Sequence, residues 1–384
     1  MNVQQFQWEP AVGWSPSLPE NNEDRLLVMF FGGRDVLGNG NLYNEIAAAF
    51  PNGERVGCTT SGEIMGDDVM DDTVVVSVIS FEKTHFHAAS LVFSGADDAF
   101  SAGNTLGTKL YDENLKAVFV LSDGHQVNGS ELVKGLAQAL GEDIVITGGL
   151  AGDGTRFEQT LVSHNHVPEP GRIVAVGLYG DSILVGHGSV GGWDSFGPER
   201  TITKAEKNVL YELDGKSALE LYKTYLGEEA NHLPGSALQF PLTIRENASV
   251  GSGTVRTILS IDEKAQAMIF AGDMPVGNIA QLMMANFDRL VDGAAEAAAF
   301  ASHDEIINSG GDKLALLISC VGRKIVLGQR IADEAEAVGE VLQEKYGDVF
   351  RMGFYSYGEI SPHVEIGKCE LHNQTMTITL LAEK

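Results

Sequence analysis

The chain holds 384 residues, enough for about two domains that each bury a core. Its 43% apolar and 8% aromatic content excludes wholesale disorder, and its net charge of −27 repels nucleic-acid phosphates and anionic lipid heads. The N-terminal MNVQQFQWEP lacks the basic and apolar regions of a signal peptide, and no apolar run reaches the roughly 18 residues that span a bilayer. Cys58, Cys320 and Cys369 are widely spaced and form no CxxC pair, which points away from a disulfide scaffold or a thiolate metal site. Together these features predict a cytoplasmic protein with no nucleic-acid and no membrane partner.

Residues 1–24, with Trp8, Trp14 and the polar run Glu20-Asn-Asn-Glu-Asp, read as an irregular N-terminal arm. From Leu26 onward strands and helices alternate. LLVMFF is a continuous apolar run of the kind expected for a buried parallel strand, NLYNEIAAAF a helix, and ERVGC a second strand that runs into the turn GCTTSGEI. The same order recurs in KAVFVLSDG, GSELVKGLAQAL and DIVITGG, which lead into GGLAGDG; Ser130 is the predicted N-cap of this second helix. A third copy runs from KLALLISCVG through ADEAEAVGEVLQEKY to VFRMGFYSYGEI. A β-rich stretch follows each copy: TVVVSVISF, GRIVAVGLYG and QTMTITLL.

Different material separates the second and third copies. GGWDSFGPERT reads as a boundary loop and LDGKSALELYKTYLG as a helix closed by glycine. Three strands follow in ALQFPLTI, TVRTILSI and AQAMIFAG, and then a long helix from about Gly277 to His303. The expected architecture is therefore α/β, with α+β character in the second half, in two related parts built from repeated βαβ-like units. The predicted divisions are residues 1–24, 25–198 and 199–384.

Familiar catalytic patterns are missing. GGRDVLGNG has no P-loop lysine, GGLAGDG does not carry GxGxxG spacing, and neither repeated turn is GxSxG. Two HxH pairs (His85 with His87, His164 with His166) could chelate a metal from one strand face, but no third ligand stands at motif spacing. Asp67, Asp68, Asp71 and Asp72 lack the pattern of a calcium loop. No metal is expected here beyond a haem iron, considered below.

The repeated turns carry the candidate site. GCTTSGEI and GFYSYGEI agree in chemical kind at five of eight positions. In open α/β sheets ligands bind beyond the carboxyl ends of strands, where such turns lie. The predicted ligand pocket comprises Thr60, Ser61, Gly62 and Glu63 from the first turn, Gly149, Gly152 and Asp153 from the second, and Tyr355, Ser356, Gly358 and Glu359 from the third. The alternative is structural: each carboxyl holds its turn by accepting a backbone N–H, with Gly62 and Gly358 at positive φ. An enzyme using Glu63 or Glu359 as a base is a further reading, although no catalytic constellation supports one. Among the histidines, His187, His372 and His363 could each ligate haem iron, with Arg200 or Arg256 pairing its propionates.

GCTTSGEI, GGLAGDG, GPERTITKAEKNVLYELDGKSALELYKTYLG, AGDMPVG and GFYSYGEISP…LHNQTMT together resemble the FIST family, over about residues 25–384. On that resemblance, 25–198 is the FIST N-terminal domain and 199–384 the FIST C-terminal domain. It implies a sensory, ligand-binding module of bacterial signal transduction rather than an enzyme. Chains of this kind are similar to stand-alone nitric-oxide-sensing haem proteins that control a partner histidine kinase, and through it cyclic-di-GMP and biofilm signalling. An amino acid or related metabolite is the other ligand implied. On either reading, ligand binding is expected to alter the loops at Gly57–Ile64, Gly148–Gly154 and Gly353–Ile360.

Overall fold

The computed structural model describes residues 1–94, 98–233, 235–246, 253–363 and 367–384. It is a mixed α/β protein with four sheets. Three of them are built by three copies of one unit. The first copy comprises β1 (Asn2–Glu9), β2 (Leu26–Gly33), α1 (Asn41–Ala49), β3 (Glu54–Thr60), β4 (Glu63–Met65) and β5 (Val74–Ser80). The second comprises β6 (His85–Val92), α2 (Ala99–Leu110), β7 (Leu115–Ser122), α3 (Gly129–Leu140), β8 (Val145–Leu150), β9 (Val162–His164) and β10 (Arg172–Tyr179).

The third copy begins with β11 (Ile183–Val190) and is then interrupted by the fourth sheet. That sheet is formed by β12 (Asp194–Glu206), β13 (Val209–Leu213), β14 (Leu242–Arg245), β15 (Thr254–Arg256), β16 (Ile258–Asp262), β17 (Ala267–Phe270) and β18 (Ile279–Met284), with α4 (Ala218–Leu226) packed on it. The third copy resumes with α5 (Phe287–Phe300), β19 (Leu314–Cys320), α6 (Ile331–Tyr346), β20 (Phe350–Ser356), β21 (Gly358–Pro362), β22 (Cys369–His372) and β23 (Met376–Glu383).

Each copy makes the same sheet. Its first and second strands pair in parallel across a helix (β2 with β3, β7 with β8, β19 with β20). The β-rich stretch that follows pairs antiparallel with the first strand, and the outer strand of the copy pairs with that. The inner faces of the three sheets meet in one core, where Met29 and Phe31, Leu121 and Val174, and Ile318 and Phe354 pack together. The Phe31 and Phe354 rings lie 4.6 Å apart. Helices cover the outer faces; α3 starts at Asn128, whose side chain accepts from the Glu131 N–H at 3.2 Å. The N-cap is therefore Asn128 rather than Ser130.

The repeated turn is a transfer point. After β3 the chain leaves its own sheet, and β4 pairs with β20 of the third copy. After β20 the chain leaves in turn, and β21 pairs with β8 of the second copy. After β8 it crosses again, and β9 pairs with β3 of the first. The exchange is cyclic, so parting any two sheets breaks backbone hydrogen bonds as well as the shared core.

Three further sequence-based readings are corrected. Asn2–Glu9 is a strand, not part of an irregular arm: Val3 and Phe6 are buried, and the backbone pairs with β5. Asp194–Glu206 is a long bulged strand, not a loop. Residues 279–284 form β18, with Ala280 and Leu282 buried in alternation, and the helix starts only at Phe287 behind an Asn286 N-cap.

Candidate functional site

The local geometry of the three turns explains their sequence. Gly57, Gly148 and Gly353 stand at equivalent places in the parallel pairs, opposite Phe30, Val120 and Leu317. A Cβ on any of them would lie well inside contact distance of a backbone oxygen, of Phe30, Val120 or Leu317 respectively. No side chain fits there.

Further along each turn a carboxyl is consumed by local hydrogen bonds. Glu63 accepts from the Thr60 hydroxyl and from both the N–H (3.0 Å) and hydroxyl (2.7 Å) of Thr73. Glu359 accepts from the Ser356 hydroxyl (2.6 Å) and from the N–H (3.2 Å) and hydroxyl (3.0 Å) of Thr375. Asp153 accepts from the N–H groups of Phe157, Glu158 and Gln159, from Arg34 at 2.8 Å, and from the Tyr357 hydroxyl. Burial pushes Glu63 up to about 7 and Glu359 up to about 8; Asp153, with its backbone donors, its tyrosine and Arg34, is held low.

The turns also bond to one another. Ser61 N–H donates to Tyr355 O and Tyr355 N–H to Gly62 O, both at 2.8 Å. Gly152 N–H reaches Thr59 O at 2.9 Å, and Tyr357 N–H reaches Leu150 O at 3.2 Å. The result is a closed ring at the centre of the three sheets. All eleven residues predicted as ligand pocket lie in this ring and are buried. Gly62 has the expected positive φ of 132°; Gly358 does not.

The open space lies elsewhere. A cleft of about 790 Å³ separates the three-sheet body from the fourth sheet. Its body wall comes from α3, the loop before β8, and β22; its other wall comes from β14, β15 and Asp273. Lys134 pairs with Asp273 across it at 2.9 Å, and Thr254 donates to Glu370 at 2.8 Å. Among the described residues its lining includes none of the eleven turn residues.

His187 lines this cleft at a seam between two sheets. At the seam between the first and third copies, Gln5, opposite Ser77, bonds Ser77 Oγ and Arg351 O at 3.1 Å. Between the second and first copies, Ser90 meets His164 Nδ1 at 2.7 Å, and His164 Nε2 meets Glu54 at 2.5 Å. His187, opposite Thr379, holds the register position of Gln5 at the third seam, but its Nδ1 is buried without a partner. Burial, with His303 nearby, lowers its pKa.

The FIST N domain matches residues 26–216 and the FIST C domain residues 218–362. The chain belongs to the FIST family. FIST domains are sensory, small-ligand-binding modules of signal transduction. No curated protein matches this FIST chain. Among solved structures it is similar to PurLQS from Thermotoga maritima, with 8% identity, a TM-score of 0.23, and 85% of this chain against 74% of that one. Cyanuric acid hydrolase from A. caulinodans gives 10% identity, a TM-score of 0.19, and 78% against 99%. Likenesses this remote carry no argument.

The remaining candidates separate cleanly within this FIST protein. His187, His363 and Arg256 line the cleft. His372 lies behind it, its ring 6.0 Å from that of His363 and its Nε2 3.0 Å from Ser361 O. Arg200 belongs to the fourth sheet, where it pairs with Asp214 at 2.9 Å and bonds Tyr225. The two HxH pairs form no metal-binding group among the described residues. Sequence reasoning missed Lys134, Asp273 and Glu370. The family motif AGDMPVG contains Asp273 and was the one available signal.

Proposed function

We propose that this FIST chain senses a small polar metabolite bound in the cleft between the body and the fourth sheet. Binding there would change how the two units sit against each other, and a signalling partner would read the change. The observation that carries this reading is His187, whose register counterpart Gln5 is satisfied while its own Nδ1 is not. A buried ring nitrogen without a partner costs free energy, and a hydrogen-bonding ligand group would remove that cost. The covalent connection suits relative motion: the chain enters and leaves the fourth sheet through the paired strands β12 and β18, with Asp194 opposite Met284.

The lining does not fit haem. His187 lines the cleft, but Glu142, Asp143, Glu246, Asp273 and Glu370 are interspersed with Lys134, Arg245, Arg256 and Lys368, whereas two propionates call for a cluster of cations. Charges of both signs around a partly apolar cleft suit an amino acid or related metabolite better. The three free cysteines support a cytoplasmic location, and among the described residues no helix is long and apolar enough to cross a membrane. A histidine kinase as the partner, with a cyclic-di-GMP output, extends the proposal on the family relationship alone.

A thermal-shift screen of amino acids and central metabolites, repeated on His187→Ala, tests the reading. We expect at least one compound to raise the melting temperature of the native chain and to lose that effect in the variant. A stoichiometric Soret band that moves on exposure to nitric oxide would overturn the metabolite reading in favour of haem.

A further inference from the structure

Two arginines among the described residues are more than nine-tenths buried, Arg323 and Arg256. Arg323 has the counter-ion such burial demands: Glu334 accepts from its Nε at 3.0 Å and its Nη2 at 2.8 Å. Arg256, 6% exposed, has none; among the described residues no carboxylate oxygen comes within 4 Å of its guanidinium. Its donors meet only carbonyl oxygens, of Leu371 at 2.9 Å, Asp273 at 3.2 Å and Val255 at 3.4 Å.

The two nearest carboxylates are committed elsewhere. Asp273 is taken by Lys134 at 2.9 Å and Asn128 at 3.4 Å, and Glu370 by the Thr254 hydroxyl at 2.8 Å. Arg256 nevertheless lines the cleft. A guanidinium that has left water and has no anion of its own is costly, and a bidentate anionic partner offsets that cost.

Resting on the cleft as the ligand site, we propose that Arg256 binds an anionic group of the ligand, a carboxylate or a phosphate. Arg256 belongs to the fourth sheet yet reaches the Leu371 carbonyl of the body, so an anion bound to it sits where the two units meet. On a chain of net charge −27 such a site selects by local geometry, because the overall field opposes anions.

The test uses the full-length chain and three probe sets at matched ionic strength: the L-amino acids, their carboxamides, and inorganic phosphate. We expect an amino acid or phosphate to stabilise the native protein and, for an amino acid, its carboxamide to fail. Arg256→Gln should weaken the active anion at least tenfold, with Arg256→Lys intermediate. The melting temperatures of the ligand-free variants report whether they fold. Amino acids active alone assign a carboxylate ligand; phosphate active alone assigns a phosphate ligand. A carboxamide that binds as well as its acid, in a manner indifferent to Arg256→Gln, overturns this inference while the cleft stands. If no probe stabilises the protein, this inference falls, and the cleft falls with it only if the wider metabolite screen also finds no binder that His187→Ala loses.

Discussion

Glu359 receives both the N–H and the hydroxyl of Thr375, as Glu63 receives both from Thr73. The matched pair shows what the repeated hydroxyl-Gly-Glu turn is for: it fixes the point at which the chain passes from one sheet to the next. Burial pushes Glu359 up to about 8 and Glu63 up to about 7, from an ordinary value of 4.5. The folded protein therefore keeps protons that the unfolded chain releases. The stability these groups add is complete below pH about 4.5, declines as pH rises, and is lost above about 8. Glu359→Gln keeps the shape without the titration. Urea melts from pH 5 to 9 should show the native chain losing stability relative to this variant, by up to a few kcal/mol. A pH-independent difference contradicts the assignment. Glu359→Ala should cost roughly 3 kcal/mol at pH 5, because it orphans the Ser356 hydroxyl and both Thr375 donors, and less as pH rises toward 9.

The three equivalent glycines of the parallel pairs admit no substitution. Alanine at Gly57, Gly148 or Gly353 drives a Cβ into a carbonyl oxygen of the partner strand, which neither strand can yield. Each change should cost about 3 kcal/mol or more, or prevent folding. Gly310→Ala, where a Cβ meets nothing within 4 Å, should melt within a degree or two of the native chain. Similar losses at Gly310 and Gly353 would sink the close-approach argument.

Arg323 joins the hinge to the ring. Besides Glu334, it donates to Leu290 O at 2.7 Å and to Gly191 O, which flank the exit and entry of the fourth sheet. Glu334 in turn accepts from Tyr355 OH at 2.7 Å and Ser319 Oγ at 3.0 Å. Arg323→Met leaves Glu334 buried without a counter-ion and should cost about 3–5 kcal/mol. Adding Glu334→Leu should restore part of that in chemical denaturation. A double variant as unstable as the sum of the singles would show that the pair is not coupled.

Much of the body was legible in the sequence because its strands are continuous apolar runs and its helices carry clear periodicity. All three βαβ-like copies, and the β-rich stretch after each, stand where those patterns place them. The exchange of strands between sheets was not legible, since a strand of three residues such as Glu63–Met65 carries no record of its partner. β1 was missed because the glutamines of NVQQFQWE look like loop residues, whereas Gln5 and Gln7 cross a seam to bond Arg351 O and Met70. GNIAQLMM reads as helix when joined to the alanine-rich run after it, although its own burial alternates. Beyond Asp273 in AGDMPVG the cleft had no local signature: its walls come from segments distant in sequence, so Arg256 and His187 stood out only as isolated side chains.

The central claim is that ligand binds in the cleft and not at the turns. Hydrogen–deuterium exchange of the full chain, with and without the compound giving the largest thermal shift, tests it most directly. The account predicts slowed exchange in residues 129–146, 254–256 and 367–372, with residues 57–63, 148–154 and 353–360 unchanged. Slowed exchange confined to the three turns, with the cleft walls unaffected, would contradict it and return the ligand to the hydroxyl-Gly-Glu ring.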